Sequence, residues 1–82
     1  MHVTLISAER SYFDGEATAV VAPAYDGLVG ILPRHAPFLT LLGEGTLTLT
    51  QGSQVNRFAV NGGFLQVTGD TVRVVAELAQ SA

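Results

Sequence analysis

Seven carboxylates, four arginines and two histidines carry nearly all the ionisable chemistry of this 82-residue chain. A nucleophile, acid or base works only when partners hold and tune it. Asp14, Asp26, Glu44 and Asp70 each stand in or beside a glycine turn, where a carboxylate ordinarily caps local backbone. Glu9 and Arg10 are expected to pair at a corner, worth well under ~1 kcal/mol on a surface. His2 reads as a terminal strand residue in water. Zinc needs three or four closely arranged ligands, and no such spacing occurs, so neither a metal nor a catalytic set is assigned. GEGTL and NGGF are rich in glycine, but neither leads into a helix that would hold a phosphate.

That leaves GILPRHAPF at 30–38. Pro33 and Pro37 fix their own φ and push the residues before them toward extended geometry. Arg34, His35 and Ala36 are confined between them. A stiff loop loses little entropy on docking. His35 can donate or accept at either ring nitrogen, depending on tautomer, and so tie the loop down. The loop has two readings: a local cap, or a protein–protein contact.

Period-two patterning frames these residues. TLTLT at 46–50 sets Leu47 and Leu49 against three threonines, as a strand does with one face in a core. Phe58 and Val60 alternate with Arg57 and Ala59; Val72, Val74 and Ala76 alternate with Arg73, Val75 and Glu77. Val3 and Leu5 face inward more weakly. Asp14-Gly15, Asp26-Gly27, Gly43-Glu44-Gly45, Gly52-Ser53, Asn61-Gly62-Gly63 and Gly69-Asp70 punctuate the runs. Strands are expected near 2–7, 12–14, 16–22, 28–32, 38–42, 45–51, 54–61, 63–68 and 71–77. The class is all-β: a flattened antiparallel sandwich or barrel. AELAQSA at 76–82 has helical propensity but is too short to stand alone in water.

Composition bounds the function. The length suits one domain, residues 1–82, and such a domain buries only about 60–65% of its unfolded surface. Hydrophobic residues make up 48% and charged residues 13%, which argues against disorder. A net charge of −3 with scattered arginines argues against nucleic-acid binding. The scarcity of charge points to surface covered by a partner. Cysteine is absent, which removes disulfides and thiolate metal sites and fits a reducing compartment. No apolar run approaches the ~20 residues that span a bilayer, and MHVTLISAER lacks the features of a signal peptide.

APAYDGLVGILPRHAPFLTLLGEGTLTL and FAVNGGFLQVTGDTVRVVAELA, preceded by VTLISAERSYFDGEATAVVAP, resemble the N-terminal β-sandwich of the epsilon subunit of the F-type ATP synthase. The most specific pieces are G-I-L-P-x-H-A-P at 30–37 and G-G-F-x-x-V at 62–67. The resemblance implies a flattened sandwich of about ten short strands. It implies a non-catalytic rotor subunit of a proton-translocating synthase, without cofactor, coupling c-ring rotation to the gamma subunit during ATP synthesis. Ser7, Arg34, His35, Thr40 and Leu42 would lie against gamma, and Asp26, Gly27 and Leu28 near the polar loops of the c-ring. The family often has an acid where Leu28 stands, so an ionic contact with the ring would come from Asp26 or Arg34. The place implied is the cytoplasmic side of the cell membrane, peripheral and with no transmembrane segment. The family usually continues into two helices that restrain ATP hydrolysis or bind ATP. This chain stops about where they would begin, so neither role is expected of it. Two other classes compete: a free-standing sandwich binding a peptide along a sheet edge, and a small hydrolase, which needs a clustered histidine and acid.

Overall fold

The computed structural model describes residues 1–82. Eight strands follow one another: β1 (His2–Ile6), β2 (Ser11–Glu16), β3 (Ala19–Ala24), β4 (Gly27–Ile31), β5 (Phe38–Leu41), β6 (Glu44–Gln51), β7 (Gln54–Thr68) and β8 (Thr71–Ser81). They pair in the order β2-β1-β8-β7-β6-β3-β4, with β5 on β7, and the sheet does not close. All pairs are antiparallel except β1 with β8.

The two long strands make the sandwich. The first part of β7 pairs with β6, and its second part pairs with β5. β8 follows β7 in one register from Thr68–Thr71 to Phe58–Ser81, the pairing lapsing only at Gly62 in the bend. Both strands therefore pass from one layer into the other. One layer contains β2, β1, the start of β8, the end of β7, and β5. The other contains β4, β3, β6, the start of β7 and the end of β8. Eight continuous strands thus supply the expected ten short ones.

Three sequence expectations change here. Asn61-Gly62-Gly63 is a bend inside β7, not a hairpin turn, with φ of 75° at Gly62 and 105° at Gly63. A Cβ on Gly63 would collide with the Val75 carbonyl oxygen, so only glycine lets β8 follow the bend closely. Asp14-Gly15 is not a turn either: Gly15 sits within β2, opposite Val3. The last residues, despite their helical propensity, extend β8 to Ser81, because the start of β7 offers Val60, Ala59 and Phe58 as ladder partners.

The core follows the predicted alternation. Val3, Leu5, Leu65, Val72 and Val74 project from one layer, and Val20, Ile31, Leu47, Leu49 and Val60 from the other, into one cluster. Each large aliphatic side chain so buried contributes about 1.5–3 kcal/mol. Tyr12 and Phe13 meet Phe58 edge to face, with centroids 6.5 and 6.4 Å apart. These contacts close the β2 side of the sandwich. The opposite side closes at the corner after β5, where Gly43 N–H donates to the Pro23 carbonyl at 2.8 Å.

Candidate docking surface

The Pro-bracketed loop leaves β4 after the buried Ile31 and turns at Pro33–Arg34. Arg34 has a φ of 68°, the only positive value outside glycine. His35 Nδ1 lies 2.8 Å from its neighbour Ala36's carbonyl oxygen, and its ring packs on Phe38 at 4.9 Å. Phe38 in turn packs against the core. The histidine therefore ties the loop down locally. Pro33, Arg34 and His35 border a polar cleft shared with Gly69 and Asp70 of the β7–β8 turn.

The gamma-facing set expected from the sequence does not converge. Ser7 spends its hydroxyl on the local corner, accepting from the Glu9 N–H at 3.2 Å. It follows Ile6, which pairs with Val75, whereas His35 lies near the 69–70 turn at the far end of the same layer. Thr40 stands opposite the fully buried Leu65, so it belongs to the inner face of β5. Leu42 is only 5% exposed and is part of the core. That corrects its assignment as a surface contact: it has almost no surface to offer. On β5 it is Leu39 and Leu41 that look outward, 66% and 62% exposed. The expected parity was off by one residue. FLTLL permits either phase, since leucines fall on both, and only the pairing of β5 with β7 decides between them.

Asp26, Gly27 and Leu28 do form a projecting tip. Tyr25–Asp26 is the turn of the β3–β4 hairpin, and Gly27 has a φ of 136°. Leu28 is 75% and Tyr25 68% exposed. The Tyr25 N–H donates to the Leu41 carbonyl at 3.1 Å, which fastens the tip to β5. Tyr25, Leu39, Leu41 and Phe64 then line one open groove with Thr40 and Gln66. Leu41–Phe64–Val75–Ile6 continues as an apolar row across four strands of the outer face.

Residues 1–82 match the family described as ATP synthase, Delta/Epsilon chain, beta-sandwich domain. The chain belongs to that family. It is 39% identical over its whole length to an ATP synthase epsilon chain from Roseiflexus sp. (strain RS-1), and 46% identical over 80 residues to one from Acidithiobacillus ferridurans. The alignments take in 100% and 98% of this chain but 59% and 57% of those relatives, so it spans under two thirds of their length. The fold is also that of a chain in the Euglena gracilis mitochondrial ATP synthase, OSCP/F1/c-ring in rotational state 1, with a TM-score of 0.89 and 22% identity, covering 96% of this chain and 51% of that one. A chain of the Tetrahymena thermophila mitochondrial ATP synthase central stalk and c-ring gives 0.84 at 20% identity, covering 99% and 66%.

The ion pairs of this delta/epsilon sandwich lie across the layer from the groove, while Arg73 stands opposite Gln66 of its lining. His2 Nε2 lies 2.7 Å from Asp14 Oδ1, and His2 Nδ1 lies 3.1 Å from Glu16 Oε2, at the β1–β2 edge. His2 is therefore placed between two carboxylates rather than simply in water. Arg10 stacks over Tyr12 at 4.4 Å instead of pairing with Glu9. The groove lining carries no charged side chain. What this arrangement offers chemically is adhesion: apolar side chains held by strands, beside a rigid loop bearing Arg34 and His35.

Proposed function

We propose that the chain is the central-stalk sandwich of a proton-translocating F-type ATP synthase. It joins the c-ring to the gamma subunit and carries torque between them without making or breaking bonds. The observation that carries this reading is the uncharged groove of Tyr25, Leu39, Leu41 and Phe64, continuous with the Asp26–Leu28 tip. The groove and the face beyond it meet gamma, with Arg34 and His35 at its end. Asp26, Gly27 and Leu28 meet the polar loops of the ring, with Asp26 as the ionic member. Close packing in the core makes the body stiff enough to transmit turning force. Such a subunit sits peripherally on the cytoplasmic side of the membrane. The names of the relatives and the fold shared with stalk assemblies support the same reading.

The test is co-purification of the chain with gamma and with the c-ring. Leu39→Asp leaves circular dichroism unchanged and abolishes capture by gamma, and Leu28→Asp leaves capture by gamma intact. A chain that ignores gamma and ring alike refutes the assignment.

A further inference from the structure

Asn61 precedes Gly62 where β7 bends from one layer into the other. An asparagine in that position can be attacked at its side-chain amide by the peptide nitrogen that follows, and glycine has no side chain to crowd the approach. A regular strand suppresses the attack, because the ladder engages each N–H and fixes the backbone. At Gly62 the ladder is weakest. Asn61 pairs with Leu78 and Gly63 with Ala76, so Gly62 has no partner on β8. Its N–H reaches the Gly43 carbonyl at 3.4 Å, long for a backbone hydrogen bond. Asn61 itself is exposed, and no hydrogen bond holds its side-chain amide. It borders an open groove with Glu44 and Leu78, so water reaches it. The other asparagine, Asn56, precedes Arg57, and its amide donates to Gln51 Oε1 at 2.9 Å.

We propose that Asn61-Gly62 is a self-modification site: the folded chain slowly converts Asn61 to an acid, and the product loosens the bend. The Gly62 nitrogen attacks Asn61 Cγ. A bond forms between them as the bond from Cγ to the amide nitrogen breaks, and ammonia leaves with the proton that Gly62 gives up. Water then opens the resulting succinimide at one of its two carbonyls. Opening at Cγ gives aspartate. Opening at the backbone carbonyl gives isoaspartate, in which the chain runs through the former side chain. Nothing is oxidised or reduced. Either product adds a carboxylate to an acidic spot. Glu44 stands directly opposite Asn61 on β6, and the Glu77 carboxyl carbon lies 2.9 Å from where a Cβ on Gly62 would stand. Like charges set opposite one another on neighbouring strands destabilise the pair. Isoaspartate also inserts a backbone carbon beside Gly63, where β8 already leaves no room for a Cβ. The inference rests on these residues alone and does not depend on what the sandwich docks against.

Peptide mass mapping of the folded chain during incubation in warm, mildly alkaline buffer tests it, with a parallel incubation in urea. In the folded chain the peptide holding Asn61 gains the mass of an amide-to-acid exchange and yields isoaspartate, while the peptide holding Asn56 keeps its amide. That mass gain tells the site from the aspartates that precede glycine, whose rearrangement leaves the mass unchanged. Asn61→Gln, which would have to close a larger ring, shows no gain at this position. Asn61→Asp, with the acid built in, melts below the wild type by circular dichroism. An Asn61 that keeps its amide as long as Asn56 does overturns the proposal. So does one that converts in urea but not in the folded chain, since the ladder then bars the attack. An Asn61→Asp protein that melts with the wild type overturns it as well, because the acid then costs the bend nothing.

Discussion

Arg34 holds a left-handed backbone that costs a side-chain-bearing residue about 1–2 kcal/mol. Glycine would relieve that strain while adding freedom to the unfolded chain, and the two effects largely cancel. Arg34→Gly is therefore expected to change stability by under ~1 kcal/mol in urea titration and yet to weaken capture by gamma. A sharper contrast lies on neighbouring leucines. Leu41→Asp, on the outer face, shifts stability by about 0.5 kcal/mol or less but disrupts docking. Leu42→Asp buries a carboxylate with no partner and costs several kcal/mol, enough to unfold a domain of this size. Thermal melts of the two proteins separate the cases. At this scale the sequence offered the backbone tie of His35 as one of two readings, and the Ala36 carbonyl beside its ring supplies that tie. It was not legible for β5, because FLTLL fits the sheet in either phase.

At the scale of elements, the decisive feature is the bend that sends β7 and β8 through both layers. The segments on either side of Asn61 were each plain in the sequence as strands, as were Phe58 and Val60 as inward residues. That they form one strand was not plain, because paired glycines signal a hairpin and a bend equally well. The tail was obscured differently: its propensity is local, but the ladder that overrides it is formed with residues far back in the chain. Gly63→Ala tests the bend. Its Cβ must displace the Val75 carbonyl, and alanine disfavours a φ of 105°. The expected loss is about 3 kcal/mol or more by chemical denaturation, since backbone rather than a side-chain tip must move.

For the whole molecule, scarce charge and ample apolar exposure divide the surface into zones. The ionisable groups of His2, Asp14 and Glu16 occupy one edge, while Tyr25, Leu39, Leu41 and Phe64 occupy another region without charge. Capture by gamma is accordingly expected to vary less than about threefold between low and physiological salt, because screening acts on exposed charges and not on apolar contact. Calorimetry of the same association should give a negative heat-capacity change. The sequence indicated the existence of such a surface through its 13% of charged residues. Its location needed the register of β5 on β7.

The parallel pairing of His2–Ile6 with Thr71–Val75 joins the first strand of this sandwich to its eighth. During synthesis, Val3 and Leu5 wait for Val72 and Val74 while everything between is translated. A nascent chain halted before Thr71 has neither the middle of one layer nor the close of the other. The sandwich can close only once Thr71–Ser81 has emerged from the ribosome, and the strands made before it stay exposed to chaperones and proteases until then.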